Sequence, residues 1–367
     1  MQLIPEWAPN IHPLLVHFPI VLLIAAVLFD TIGLVFKKLK WLEKSALLLY
    51  VVGTIAIIVT YFTGQSAADS IDIPSKAIPA VTDHADWAEI TLWFFIVFSI
   101  VRLSTGLWIK SAKQAFTVVI VIIGFIGIYL LYLTGDHGAK LVFGYGLGTG
   151  NIITKNDQQT DNETISVKEV SDSVFTINDD GSWKLIAGRN TVNTLKEKFI
   201  PVGGSLGDLS PAYNNADSSL VLQSHKDTLE KGFVYNSNMR NVEVIAEVNL
   251  DNFDGELRLV HHYINKNNYG FLGLLTDLAE EDSRREISLT RKNNGEIEIM
   301  EQGKFQTKGW IEVKVIGSGS HFRGYINNEL LVHGHGSEPE PGNIGLILSG
   351  YGSIKLRTIN ANVLDEH

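Results

Sequence analysis

The stretch NIHPLLVHFPI, residues 10–20, sets His12 and His17 at the start of an apolar run that continues to Phe36. Two more histidines stand in similar company, His84 in DHADWAEI and His137 in YLTGDHGAK. Neutral imidazole is a good ligand for haem iron, copper and zinc. Bis-histidine haem needs two ring nitrogens about 4 Å apart across the macrocycle, twice a metal–nitrogen bond of about 2 Å. Gly64, Gly135 and Gly138 permit close backbone approach to a flat cofactor, and Trp87, Trp93, Phe18 and Phe62 offer faces to pack on it. The expected site is haem b held through His12, His17, His84 and His137. Asp83, Asp86, Glu89 and Asp136 are close in sequence and open another possibility, a non-haem copper, zinc or iron site with His and carboxylate ligands. A quinone pocket or a proton path would use the same groups. Histidine, tryptophan and tyrosine also gather at membrane interfaces simply because they are amphipathic.

Four apolar segments must position these residues, roughly 14–36, 45–63, 87–109 and 115–134, each near the ~20 residues that cross a bilayer. MQLIPEWAPN lacks a basic start and no small-residue cleavage site follows the first run, which argues against a cleaved signal peptide. Lys37, Lys38, Lys40 and Lys44 follow the first span, and Arg102, Lys110 and Lys113 follow the third. The loop between the second and third spans carries Lys76 against Asp69, Asp72, Asp83 and Asp86. Both basic loops are therefore expected in the cytoplasm of a bacterial inner membrane. The N-terminus, the loop at 64–86 and everything after residue 135 are expected on the periplasmic side. All four histidines then fall at one membrane face. Pro13 suits a first helical turn, and Pro19 leaves the carbonyl of Leu15 without its usual partner. Asp30 lies deeper, where an intramembrane acid is a functional candidate; a local pair with Arg102 or a place at the inner interface is the favoured reading. TYFTGQ ends the second span and LYLTGD the fourth, 71 residues later, as in a duplicated hairpin.

HPLLVHFPIVLL, the histidine opening the third span, and TGDHGAKLVFGYGLG together resemble a family of four-helix bacterial membrane proteins of unassigned function. The likeness covers about residues 8–150 and rests on His12, Pro13, His17, Pro19, His84, Gly135, His137 and Gly138. Members of that family are sometimes joined to cytochrome-type domains, so the resemblance implies a redox neighbourhood.

The chain has 367 residues, room for two domains. Up to about residue 150 the charges balance, so the net charge of −10 belongs to the remainder. An acidic soluble part offers no footprint for nucleic acid. The absence of cysteine excludes disulfides, thiolate-bound zinc, iron–sulfur clusters and covalently attached c-type haem. A membrane domain at 1–147, a polar linker at 148–172 and an extracytoplasmic domain at 173–367 are expected. In the last, short alternating runs between Gly, Asn and Asp turns predict an all-β sandwich. NVEVIAEVNL places Val242, Val244, Ala246, Val248 and Leu250 on one face, and Asn294-Gly295 and Asn327-Asn328 predict tight hairpins.

The order of these elements, with GWIEVKVIGSGSHFRGYINNELLVHG followed by GNIGLILSGYGSIKLRTINANV, resembles the concanavalin-like jelly rolls, laminin-G-like and sugar-hydrolase-associated domains in particular. That resemblance implies sugar or protein binding, with calcium in some members. GEIEIMEQ looks like the catalytic strand of laminarinase-type glycosidases, with Glu296, Glu298 and Glu301 in place of an alternating Glu-Asp-Glu, but Glu at the central position lengthens that side chain, and the favoured reading is an ordinary exposed hairpin with Ile297 and Ile299 facing inward. His261, His262, His333 and His335 read as loop or edge residues. The expected whole is a membrane-anchored electron-transfer or complex-assembly subunit without independent catalytic activity. It would contact lipid and dock a periplasmic cytochrome or a larger respiratory complex. The alternatives are a membrane-tethered carbohydrate- or protein-binding module and, further off, a glycoside hydrolase.

Overall fold

A computed structural model describes residues 10–71, 73–108, 114–148, 174–225, 230–277, 285–306 and 308–364. The chain falls into two compact units, Met1–Thr164 and Ile165–His367. The stretch read as a linker lies, apart from Gly148, outside the described residues.

In the first unit, α1 (His12–Leu15) and α2 (His17–Val35) form one span with a step at Val16. The others are α3 (Lys40–Ser70), α4 (Ile78–Trp108) and α5 (Gln114–Phe143). All four spans are long and apolar enough to cross a membrane. Their outward faces explain why: Val35 is 70% exposed, Leu48 63% and Ile100 59%. A helix apolar on every side has no aqueous face, and hydrocarbon demands that its backbone be satisfied internally. Leu23, Val27, Tyr50, Phe95 and Phe98 fill the interior. α2 packs on α3 and α4 on α5, with α3–α4 and α2–α5 contacts completing the bundle. Pro19 does deprive the Leu15 carbonyl of a helical donor, and the Thr60 hydroxyl, 3.5 Å away on α3, takes that place.

The helices outrun the apolar windows. His84 and Asp86 lie inside α4, and Gly135, Asp136, His137 and Gly138 lie inside α5, rather than flanking them. Hydropathy marks where side chains meet lipid, whereas the i→i−4 ladder continues for as long as nothing interrupts it.

Among the described residues the strands of the second unit pair antiparallel, with a short α-helix, α6 (Thr191–Lys198), and a 3-10 turn at Leu206–Leu209 between them. Its spine is a pair of long strands, β7 (Val242–Asn265) and β14 (Gly342–Val363), in register from Val242–Val363 to Tyr263–Asn343. The first half of β7 pairs with β11 (Trp310–Ser318), then come β12 (His321–Ile326) and β13 (Glu329–His335) at the edge. Its second half pairs with β8 (Asn268–Thr276), followed by β9 (Arg285–Asn293) and β10 (Glu296–Phe305). β14 takes β6 (Lys231–Met239) with β3 (Ile200–Val202), then β5 (Ser219–Ser224) with β4 (Ala212–Asn214), and last β2 (Trp183–Ile186) with β1 (Phe175–Ile177). At the changeover Gly255 and Gly350 oppose each other with φ of +140° and +151°, and a Cβ on either would lie 2.3 Å from a backbone oxygen of the other strand. Only glycine lets the spine bend there. Val242, Val244, Ala246, Val248 and Leu250 are all buried, as their alternation predicts. Asn294-Gly295 and Asn327-Asn328 take positive φ at both positions, the tight hairpin geometry expected.

Candidate functional site

Antiparallel hairpins bring each helix start beside the end of its partner, and a histidine closes both junctions. His12 Nδ1 lies 3.1 Å from the Thr60 carbonyl and 3.4 Å from the Thr63 hydroxyl, with its ring against Gly64. His84 Nδ1 lies 3.1 Å from the Thr134 carbonyl, with its ring against Gly138. A carbonyl only accepts, so Nδ1 of each ring carries the proton and Nε2 keeps its lone pair. His137 donates from Nδ1 to the carbonyl of Leu133 on its own helix at 2.8 Å, and its ring stands 5.9 Å from that of Trp87. His84 is within electrostatic reach of both His12 and His137. His17 is exposed, and nothing lies within 4 Å of a Cβ built on Gly135. Asp83 and Asp86 are half-buried, while Glu89 and Asp136 are exposed.

The two junctions are related by an internal repeat. His12, Leu22, Leu23 and Asp30 correspond to His84, Phe94, Phe95 and Arg102 at an offset of 72 residues. Gly53, Thr60, Thr63 and Gly64 correspond to Gly127, Thr134, His137 and Gly138 at an offset of 74. The contacts repeat with the residues: Gly53 packs on Leu22 and Leu23 as Gly127 packs on Phe94 and Phe95. The duplication expected from the sequence is therefore present, but its register is not the one the matching TG pairs give. Thr63-Gly64 and Thr134-Gly135 differ by 71 residues, about one helical turn short of the spatial match.

Deeper in the bundle Asp30 and Arg102 form the expected pair. Arg102 donates from Nη2 and Nε to the two carboxylate oxygens at 2.8 and 3.1 Å, and both side chains are buried. A groove of about 880 Å³ runs along α4 and α5, lined by Asp86, Glu89, Trp93, Phe94, Phe98 and Ile120, and none of the four histidines lines it.

On the β-unit, the face of β7–β10 opposite the main core carries an ionic lattice. Arg258 donates to Glu230 at 2.6 Å and to Glu256 at 2.7 Å, lies 4.6 Å over the Phe271 ring, and reaches the Tyr269 hydroxyl at 2.9 Å. Burial opposes charge at Glu230, yet the Arg258 guanidinium holds its carboxyl below the usual range. Burial pushes the Tyr269 hydroxyl up to about 12. This lattice borders a groove of about 140 Å³ lined also by Leu275, Glu286, Ser288, Thr290 and Gln302. Ile297 and Ile299 line it too, 59% and 52% exposed, so they do not face inward. Glu296, Glu298 and Glu301 pair across β9 with Asn293, Arg291 and Leu289, on the other side of the strand from that groove, and all three are exposed.

His261 and His262 are not loop or edge residues: both are buried inside the β-unit. His262 donates from Nε2 to the Arg240 carbonyl at 2.6 Å, so its Nδ1 accepts from His261 Nδ1 at 2.7 Å. His333 and His335 do belong to an edge strand, but they meet there with His321, a residue the sequence reading passed over. Among the described residues, this is the group of three or more His, Asp and Glu whose ligand atoms all lie within 4.8 Å of one another.

No curated protein matches the chain. Solved structures align with the β-unit at low identity. A carbohydrate-binding module (CBM66) from Bacillus subtilis is 14% identical over 44% of this chain and 94% of its own, with a TM-score of 0.35. A Bacillus subtilis protein of unknown function with a galectin-like fold is 14% identical over 48% and 93%, at 0.37. A Bacillus licheniformis beta-glucanase is 9% identical over 50% and 99%, at 0.36. In the helical unit, residues 8–151 match the family model described as "Predicted membrane protein (DUF2231)".

Proposed function

We propose that the chain is a membrane-tethered binding protein, its helices the anchor and its β-sandwich the reader of a glycan in the groove over β7–β10. The ionic lattice around Arg258 carries this reading. Sugar hydroxyls need donors and acceptors in fixed places, and the carboxylates, the guanidinium, Ser288, Thr290 and Gln302 supply both. Sugar C–H faces need apolar surface, which Ile297 and Ile299 provide. At about 140 Å³ the groove is smaller than the ~300–1,000 Å³ of enclosed ligand sites, which fits a surface-lying sugar ring. The lysine and arginine distribution supports a bacterial inner membrane location with the sandwich on the periplasmic side. Glycan-array binding by the detergent-solubilised full chain tests the groove, with Gln302→Ala and Glu286→Ala as exposed variants. A retained glycan class, weakened about tenfold or more by either change, supports it. No retention, or retention untouched by both, overturns it.

A second reading has its own observation. Nδ1 of His12 and of His84 is fixed on a backbone carbonyl, the way ligating histidines are commonly oriented for Nε2 to bind a metal. In this reading the bundle holds b-type haem, or a copper, zinc or non-haem iron ion, and the chain serves electron transfer or complex assembly. A Soret band in the purified protein that disappears in His12→Ala/His84→Ala supports it. A colourless preparation free of iron, copper and zinc at the bundle overturns it.

A further inference from the structure

We propose a divalent transition-metal site on the β-unit, formed by His321, His333 and His335 and separate from both functional readings above. Its geometry follows from one irregularity in the β12–β13 hairpin. Counting outward from the Asn327-Asn328 turn, Ile326 opposes Glu329 and Tyr325 opposes Leu330. Continued without a break, that register sets His321 opposite Gly334, on the reverse face from His333 and His335. Between Gly324 and Tyr325 the register shifts, Gly324 pairing with Val332, so that Leu331 is the extra residue of a bulge. Beyond it Arg323 opposes His333 and His321 opposes His335. The bulge thus moves all three imidazoles onto one face. Gly334 confirms which face that is not: a Cβ there would lie 2.8 Å from Met300 Cβ, on the inner side.

The rings are gathered closely. Centroids are 4.4 Å apart for His321 and His335, 4.8 Å for His333 and His335, and 6.0 Å for His321 and His333. A tetrahedral ion with bonds of about 2.0–2.1 Å holds its nitrogens about 3.3 Å apart. Nitrogens already within 4.8 Å need about 1.5 Å of closure at most. His335 is exposed and His333 half-buried, so χ rotation at a sheet edge supplies that, while the buried His321 stays fixed. An all-imidazole set suits zinc, copper(II) or nickel(II), rather than calcium or magnesium, which prefer oxygen. The fourth position is left to water or an external donor. Arg323, opposite His333 on the same face, opposes a cation and moderates the affinity.

The full chain in detergent, dialysed against zinc chloride, gives the test. His12→Ala/His84→Ala serves as the background that removes the two bundle imidazoles held on backbone carbonyls. One equivalent of zinc is expected in wild type and in that background. His335→Ala, at an exposed position where folding is not at risk, is expected to weaken it about tenfold or more, since even the partner of a ligand costs that much. Cobalt(II) in place of zinc is expected to show low-coordinate visible absorption that His333→Ala abolishes. Absence of retained zinc in the His12→Ala/His84→Ala background, or retention there unchanged by His335→Ala, overturns the site.

Discussion

Gly135 and Gly138 share one face region of α5 and differ in what lies against them. A Cβ on Gly138 would sit 3.1 Å from His84 Cε1, so Gly138→Ala must shift the imidazole and stretch its bond to Thr134. The expected cost is about 1 kcal/mol, the usual worth of such a hydrogen bond. Gly135→Ala meets open space and is expected to raise stability by up to about 1 kcal/mol through helix propensity. Thermal unfolding in detergent reads both, and changes of equal sign would refute the assigned role of Gly138. In the β-unit the pair His261–His262 links stability to pH. Burial pushes His262 from 6.5 down to about 4, against a hydrogen bond to the Arg240 carbonyl, and burial also holds His261 well below its usual value. The unfolded chain therefore binds these protons more readily than the folded one. Stability is full above about 6.5 and falls as the pH drops, the His262 contribution levelling off below about 4. At about 1.4 kcal/mol per pKa unit the loss reaches a few kcal/mol. Unfolding followed across that window is expected to slope less steeply for His262→Gln than for wild type. An unchanged slope would show that other groups govern the acid response.

At the scale of elements, the repeat makes a sharper demand. Asp30 and Arg102 occupy corresponding positions in the two hairpins, one acidic and one basic, and pair across the bundle. Asp30→Ala leaves a buried guanidinium alone and is expected to cost about 3–5 kcal/mol. Because the positions are equivalent, Asp30→Arg combined with Arg102→Asp is expected to recover most of that loss. A double variant no more stable than either single one would mean that the surroundings are not interchangeable. Much of this architecture is legible in the sequence where the signal is local. Period-two alternation marks Val242–Leu250, Asn-Gly and Asn-Asn mark the turns, and unbroken hydropathy marks the spans. What escapes is whatever depends on a partner. The helices run through His84 and His137 because hydropathy says nothing about where backbone bonding stops. The repeat register is hidden because the matching TG dipeptides lie one turn from the contacts they suggest. His321 is invisible as a companion of His333 because a one-residue bulge decides its face, and no residue in YINNELLV announces that bulge.

For the whole molecule, sidedness is the property on which the proposed binding role depends. In the topology proposed above, four spans return the chain to the side on which it starts, and the positive-inside rule assigns the α2–α3 turn, with Lys37, Lys38, Lys40 and Lys44 at or near it, to the cytoplasmic side. A sandwich that reads glycan has to stand on the opposite side from that turn. The chain offers a clean measurement because it contains no cysteine, so every introduced thiol reports alone. Lys38 and Lys266 are both exposed, the first beside α3 and the second in the β7–β8 turn. In intact cells with a permeable outer boundary, a membrane-impermeant maleimide is expected to label Lys266→Cys at once. Lys38→Cys is expected to label only after the membrane is opened. The reverse order would place the sandwich in the cytoplasm, away from any extracellular glycan, and would leave the groove over β7–β10 without the ligand proposed for it.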